Sequence, residues 1–93
     1  MAFSKHNNKG VQQDYSPKKG FVPNEETAIK IAEAIWLPIY GNSILEMKPF
    51  VANLKDSTIW IVEGTLPKGM KGGVPYIEIQ KSDCKVLKIA HGK

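Results

Sequence analysis

Hydrophobic residues recur at helical spacing between residues 24 and 40. The apolar positions three or four residues apart are Ala28, Ile31, Ile35 and Ile39. Asn24 is suited to cap a helix, and Glu25 and Glu26 place negative charge in the first turn. The pattern predicts one main helix, with an apolar face so wide that a sheet must cover it.

The end of this helix is marked by a proline and a glycine. Because the Pro38 ring removes a backbone donor and clashes with the preceding turn, we expect the helix to end or kink near Leu37. The Tyr40-Gly41 pair then closes the segment. Ser43 and Glu46 have the spacing of a capping box, which predicts a short second helix of one or two turns.

Strand patterns occupy the chain after residue 49. Apolar and polar residues alternate over 50–55, residues 58–65 are rich in β-branched side chains, and the intervening Asp56-Ser57 is a candidate tight turn. A second hairpin is predicted from strands at 74–80 and 85–90. The expected fold is α+β, with one main N-terminal helix packed on a four-stranded antiparallel sheet.

The apolar pattern also predicts the core. Its expected members are Ile31, Ile35, Trp36, Ile59, Ile61, Ile77, Ile79, Leu87 and Ile89. One helix covers one face of an antiparallel sheet, so the other face is expected to stay open. An open face that carries aromatic residues is suited to protein docking.

The chain divides near Gly20. Its 93 residues allow one domain, which we place at 21–93. Residues 1–20 are polar, with four lysines against Asp14 for a net charge of +3, and the remaining nine lysines and eight acids give +1. Residues 1–20 are therefore expected to form a mobile basic arm or one draped on the domain, attached to a nearly neutral body.

The composition argues against a nucleic acid partner and against a membrane span. All 13 cationic residues are lysines, so the planar fork with which arginine reads guanine or clamps phosphate is missing. No apolar run has the length of a membrane span, and residues 1–10 lack the apolar centre of a signal peptide. As written, the chain is expected to be cytoplasmic, or periplasmic if a precursor carries a signal peptide.

Candidate catalytic groups are few. His6 and His91 are the only imidazoles and lie at opposite ends of the chain, and no metal-ligand or cofactor motif occurs. Cys84 falls in a predicted turn beside Asp83, which disfavours a reactive thiolate. A facing pair of strand glutamates, Glu63 and Glu78, is the remaining acid/base possibility. We expect no catalytic, cofactor or metal site.

The loop at 66–73 is the candidate docking element. Its sequence LPKGMKGG places two lysines and a methionine at a glycine-flexible tip, and loops carry binding residues more often than the scaffold does. Aromatic anchors on the strands and the chain end complete the set if they face outward. The candidate partner-binding residues are Trp60, Lys68, Met70, Lys71, Tyr76 and His91. The alternative is that the aromatics belong to the core and that the glycines only form turns.

Five fragments between residues 26 and 93 resemble a known family. They are ETAIKIAEAIWLPIYG, KPF, IWIVEGTLP, GGVPYIEIQK and VLKIAHGK, in this order. The series resembles bacterial immunity proteins with an NTF2 fold. The resemblance implies a small NTF2/cystatin-like α+β protein that neutralises the toxin encoded beside it by binding, without catalysis.

A second, less specific resemblance is to the PepSY-type module. It lies in a helix that precedes strands of the form YIEIQKSDCKVLKI. This resemblance implies a regulatory or peptidase-inhibitory binding module. Both resemblances imply a non-enzymatic binding domain, and the cognate toxin is the partner expected from the first.

Overall fold

The computed structural model describes residues 15–92. Most of the predicted arm at 1–20 therefore lies outside the described residues, and its mobility stays a prediction. Its last residues lead into a segment that runs beside the second hairpin. There the backbone N–H groups of Phe21 and Val22 donate to the carbonyl oxygens of Ser82 and Lys81, each at 3.1 Å.

The predicted α+β architecture is confirmed. In chain order its elements are helix α1 (Glu25–Tyr40), a 3₁₀ helix (Asn42–Met47), and strands β1 (Val51–Lys55), β2 (Ile59–Glu63), β3 (Pro75–Gln80) and β4 (Val86–His91). The four strands form one antiparallel sheet in the order β1-β2-β3-β4, so each strand pairs with its neighbour in sequence.

Both ends of α1 agree with the sequence pattern. The Asn24 side chain accepts a hydrogen bond from the Thr27 backbone N–H at 2.9 Å, as expected of an N-cap. Pro38 was expected to end or kink the helix near Leu37, and α1 continues through it to Tyr40. Gly41 then closes the helix as expected, because its N–H donates to the Leu37 carbonyl at 2.8 Å. Because Pro38 and the residue one turn before it both face solvent, water replaces the lost donor without burying a bare carbonyl.

The short second helix is present without the predicted capping box. The N-cap residue of the 3₁₀ helix is Gly41, and no side-chain hydrogen bond caps the helix there. The Ser43 hydroxyl instead donates to the Tyr40 carbonyl at 3.3 Å, one turn back toward α1. The S-x-x-E spacing therefore predicted the helical turn correctly, although the contact that Ser43 makes is not the predicted one.

The predicted core is correct in β3, correct only in part in α1, and wrong in β2. In α1 the buried residues are Ala28, Ala32 and Trp36, whereas Ile31 and Ile35 are half-buried and pack against the core. Trp36, Ile77 and Ile79 are buried, but in β2 it is Trp60 and Val62 that face α1. The expected core residues Ile59 and Ile61 lie on the opposite face of the sheet and are half-buried. Since the sequence IWIV is apolar at every position, its pattern does not fix which alternate residues point inward.

The expected core members of β4 are also wrong. Leu87 and Ile89 are each 39% exposed. The cause is the position of α1, which packs against β1, β2 and β3. The register places Ile89 beside Ile77 on the helix-facing side, yet Ile77 is fully buried. The core thus ends between β3 and β4.

Two tryptophans are buried in the core and differ in the hydrogen bonding of their indole N–H groups. The indole N–H of Trp60 donates to the Val22 carbonyl at 2.7 Å and so fastens the segment before α1 to the sheet. The Trp36 ring meets Phe50 edge-on, with centroids 5.0 Å apart. Its buried indole N–H has no hydrogen-bond partner within the described residues.

This contrast predicts unequal costs for the same substitution. Trp60→Phe should lower the free energy of unfolding by about 1 kcal/mol more than Trp36→Phe, because only the former breaks an indole hydrogen bond seen in residues 15–92. Guanidinium melts of both variants measure the difference. Equal losses would show that the bond to Val22 contributes nothing.

Candidate functional site

The loop between β2 and β3 and the end of β4 lie at the same end of the sheet. Pro75 pairs with His91, and the Gly92 N–H donates to the Val74 carbonyl at 3.1 Å. This places the end of the described chain directly against the loop. We call the region formed by residues 64–74, Tyr40, His91 and Gly92 the loop end.

The loop itself is held at its base and exposed at its tip. Thr65 is anchored by its hydroxyl, which donates to the Pro49 carbonyl at 2.7 Å. A Cβ at Gly64 would lie 2.9 Å from the Pro75 ring, so a larger residue would force the base of the loop to shift. Lys68, Met70 and Lys71 are all exposed, Met70 by 54%.

Glycines shape the tip of the loop. Gly69 and Gly72 have φ angles of 80° and 123°, in the region that side-chain-bearing residues rarely adopt. A hydrogen bond of 3.1 Å from the Met70 N–H to the Pro67 carbonyl closes the turn. The tip therefore presents its two lysines and one methionine to solvent, and residues 66–73 contain no acidic residue.

Tyr76 lies on the side of the sheet that α1 does not cover, which we call the open face. Its hydroxyl donates to Oε2 of Glu78 at 2.5 Å, two residues along the same strand. The Lys88 ammonium lies 5.8 Å from the centre of the Tyr76 ring. A shallow depression of about 270 Å³ surrounds the ring, lined also by Glu63, Val74, Ala90 and Gly92.

The contact with Glu78 changes the acidity of Tyr76. The hydrogen bond to the carboxylate raises the pKa of the phenol to about 12, and desolvation and the charges of Glu78 and Glu63 act in the same direction. The phenol therefore stays protonated far above neutral pH. Its chemistry here is that of a fixed hydrogen-bond donor, since a general base or acid works best with a pKa near the working pH.

His91 lies on the other side of the sheet from Tyr76. Its ring meets Tyr40 at a centroid distance of 5.3 Å and an interplanar angle of 61°. Its Nδ1 is 3.1 Å from the Gly92 carbonyl oxygen. His91 thus joins the end of α1 to the loop end, and it lies on the same end of the sheet as Lys68, Met70 and Lys71.

Trp60 does not belong to this surface. It was expected to act as an anchor if it faced outward, but its ring faces α1 and is only 5% exposed. The structure therefore places the loop residues, Tyr76 and His91 at one end of the sheet, with Tyr76 and His91 on opposite faces, and leaves Trp60 in the core. The prediction for Trp60 failed because β2 turns Trp60 and Val62 toward α1, rather than Ile59 and Ile61.

Three partners in this region were not foreseen as such from the sequence. Glu78 was considered only as an acid/base candidate, although its i, i+2 spacing from Tyr76 places both on one face of a strand. Lys88 adds its charge from the neighbouring strand. Tyr40 reaches His91 through tertiary contact alone, so no local signal predicts that pair.

A second depression, of about 400 Å³, lies at the opposite end of the sheet. It is lined by Lys18, Lys19, Gly20, Ser57, Thr58, Gln80, Lys81 and Ser82. The Lys81 ammonium donates to the Lys19 carbonyl and closes one side of it. We call this region, with the turns at 56–58 and 81–85, the turn end.

Neither a candidate metal cluster nor a candidate membrane-spanning helix occurs among the described residues. Between residues 15 and 92 no group of three or more His, Cys, Asp or Glu side chains could hold a metal. Within the same range, no helix has the length and apolar character needed to cross a membrane. Cys84 lies in the β3–β4 turn with a φ of 66° and packs partly against the core.

The fold is that of a small α+β protein, and comparison with known sequences identifies its family. The sequence pattern of the NTF2 fold immunity proteins matches residues 27–93. The chain belongs to this family, and the resemblance found from the sequence fragments is confirmed. Membership indicates an immunity-protein role, which points to a non-catalytic function.

Two relatives from Escherichia coli (strain K12) are similar to this chain. The uncharacterized protein YhhH is 34% identical over 76 residues, which cover 81% of this chain and 60% of that protein. The uncharacterized protein YbbC is 42% identical over 78 residues, covering 81% of this chain and 62% of the relative. The chain thus spans about three fifths of the relatives' length. No solved structure matches it.

The Tyr76 pKa predicts a stability change at high pH. The folded-state pKa of about 12 exceeds the ordinary value near 10, so the neutral phenol is favoured by folding. This contribution is fully present below about pH 10 and is lost as the pH rises toward 12. The stability difference between the native protein and Tyr76→Phe should therefore shrink across that interval.

Urea melts from pH 8 to 12 test this expectation, because the other titrating groups are common to both proteins and cancel in the difference. Glu78→Gln should bring the tyrosine pKa back toward 10 in an NMR titration of the ring. A stability difference that is constant with pH would contradict the role of the Tyr76 hydrogen bond.

Proposed function

We propose that this protein binds one cognate toxin and neutralises it by non-catalytic protein–protein inhibition. The observation that carries the proposal is the family match over residues 27–93. The local chemistry supports it, since Tyr76 and Glu78 engage each other in a bond that holds the phenol protonated. These groups suit recognition better than proton transfer.

We further propose that the toxin docks at the loop end. The tip combines Lys68, Met70 and Lys71 on one exposed segment, whereas Tyr76 and His91 flank its base. A half-exposed aromatic ring whose hydroxyl is already fixed loses little conformational entropy on binding. Such a residue is a suitable anchor beside an adaptable loop.

The charge of the loop indicates the chemistry of the partner surface. Two lysines without an acidic residue in 66–73 favour an acidic patch on the toxin, and Met70 adds a flexible apolar contact. Docking there would block the toxin's active site or hold it in an inactive conformation. Imitation of nucleic acid by a carboxylate surface does not fit a chain whose net charge is +4.

The product of the gene beside the one encoding this chain is the partner to test. Its production alone should arrest growth, and co-production of this protein should restore growth and yield a complex that co-purifies. The triple variant Lys68→Ser, Met70→Ser, Lys71→Ser should weaken binding at least about tenfold, which corresponds to about 1.4 kcal/mol, without changing the melting temperature. Titration calorimetry measures the affinity.

The matched control removes two lysines and one half-exposed apolar residue from the other end of the molecule. It is Phe21→Ser, Lys55→Ser, Lys85→Ser, all at exposed positions. This variant should bind within about twofold of the native protein. If the neighbouring product neither binds nor becomes harmless, the immunity function is wrong. If both triple variants bind equally well, only the docking site is wrong.

A further inference from the structure

Strand β4 forms one edge of the sheet and has a regular stretch of backbone without a neighbour among the described strands. A sheet edge presents N–H and C=O groups that are able to pair with another strand. Which groups these are follows from the pairing of β4 with β3.

The hydrogen bonds of β3 show which way each β4 residue faces. The Gly92 N–H donates to Val74, and the Pro75 carbonyl accepts from Gly64 on the β2 side. Along an antiparallel pair, bonded and non-bonded pairs alternate. Lys88 and Ala90 therefore bond toward β3, whereas the N–H and C=O groups of Ile89 and His91 point outward from the sheet.

This edge lacks most of the sequence features that prevent an edge strand from pairing with a strand of another molecule. Residues 86–91 contain no proline, and the single charge among them, Lys88, points to the open face rather than into the plane of the sheet. The irregularity in β4 lies at its start, opposite Glu78 and Ile79. Residues 88–92 are left as a regular and largely exposed edge.

We propose that two copies of this chain pair antiparallel through β4, with Ala90 facing Ala90 across a two-fold axis, to form one continuous eight-stranded sheet. In this register Ile89 of one copy faces His91 of the other. These are the residues with outward backbone groups, so each such pair exchanges both of its hydrogen bonds, and symmetry repeats the pair.

In that register the side chains of residues 88–92 in one copy are compatible with those of the same residues in the other copy. Lys88 of one copy faces Gly92 of the other, so no like charges are directly opposed. Lys88 also keeps Glu78 as its cross-strand neighbour within its own copy. On the open face the row Glu63, Tyr76, Ala90 would continue across the axis, which joins the two depressions around Tyr76.

Sedimentation equilibrium from about 1 µM to about 500 µM tests the proposal. The native chain should shift from 10.3 kDa toward twice that mass with concentration. Ile89→Lys should weaken dimerisation by about tenfold or more, because a lysine on an edge opposes strand pairing. Leu54→Lys is the matched control, since Leu54 is 41% exposed on the same side of the other edge strand, and it should leave dimerisation unchanged.

Hydrogen exchange provides a test within a single strand. On concentration, the amides of Ile89 and His91 should slow by about tenfold or more, whereas those of Lys88 and Ala90 should change little because they already bond to β3. A monomer throughout the range would overturn the proposal, as would an equal effect of Leu54→Lys. Protection of Ile89 and His91 at every concentration in a monomer would show that the chain covers its own edge, and this too would overturn it.

Discussion

The width of α1 determines how far the core extends. A helix with its side chains is about 10–12 Å across, and strands lie about 4.8 Å apart, so one helix covers roughly three strands. One row of the sheet shows the limit: Val62 and Ile77 are fully buried, whereas Ile89 in the same row is 39% exposed. The molecule therefore has a core under α1, an open face and an apolar edge at β4.

The hydrogen bond from Trp60 to Val22 adds the segment before α1 to the elements that cover the sheet. It holds the segment before the helix against the sheet, where Gly20 approaches the Lys81 carbonyl so closely that a Cβ would lie 2.4 Å from it. The chain itself thus covers part of the turn end. Among residues 15–92 no such segment covers the loop end, which leaves Lys68 and Lys71 accessible.

The sequence predicted the elements better than it predicted which side chains point inward. The helix cap at Asn24 and the two hairpins depend on local residue chemistry, and both predictions are confirmed. The face chosen by β2 depends on tertiary packing, because Ile59 and Ile61 are as apolar as Trp60 and Val62. The exposure of Leu87 and Ile89 depends on where α1 lies over the sheet, which no window of sequence encodes.

The same distinction applies to the candidate site. Glycines and lysines identify the loop from sequence alone, whereas its proximity to His91 requires the strand order β2-β3-β4. Two adjacent hairpins bring residues 66–73 and 91–92 to one end of the sheet. The contact between Tyr40 and His91 additionally needs the end of α1 to lie over that end. The proposed docking site at the loop end therefore depends on topology as much as on composition.

Amide hydrogen exchange of this protein, free and in complex with the product of the neighbouring gene, tests the central claim most directly. The account predicts that slowed exchange in the complex is concentrated in residues 66–74, with the turns at 56–58 and 81–85 unchanged. Protection confined to those turns, with no change in residues 66–74, would contradict it.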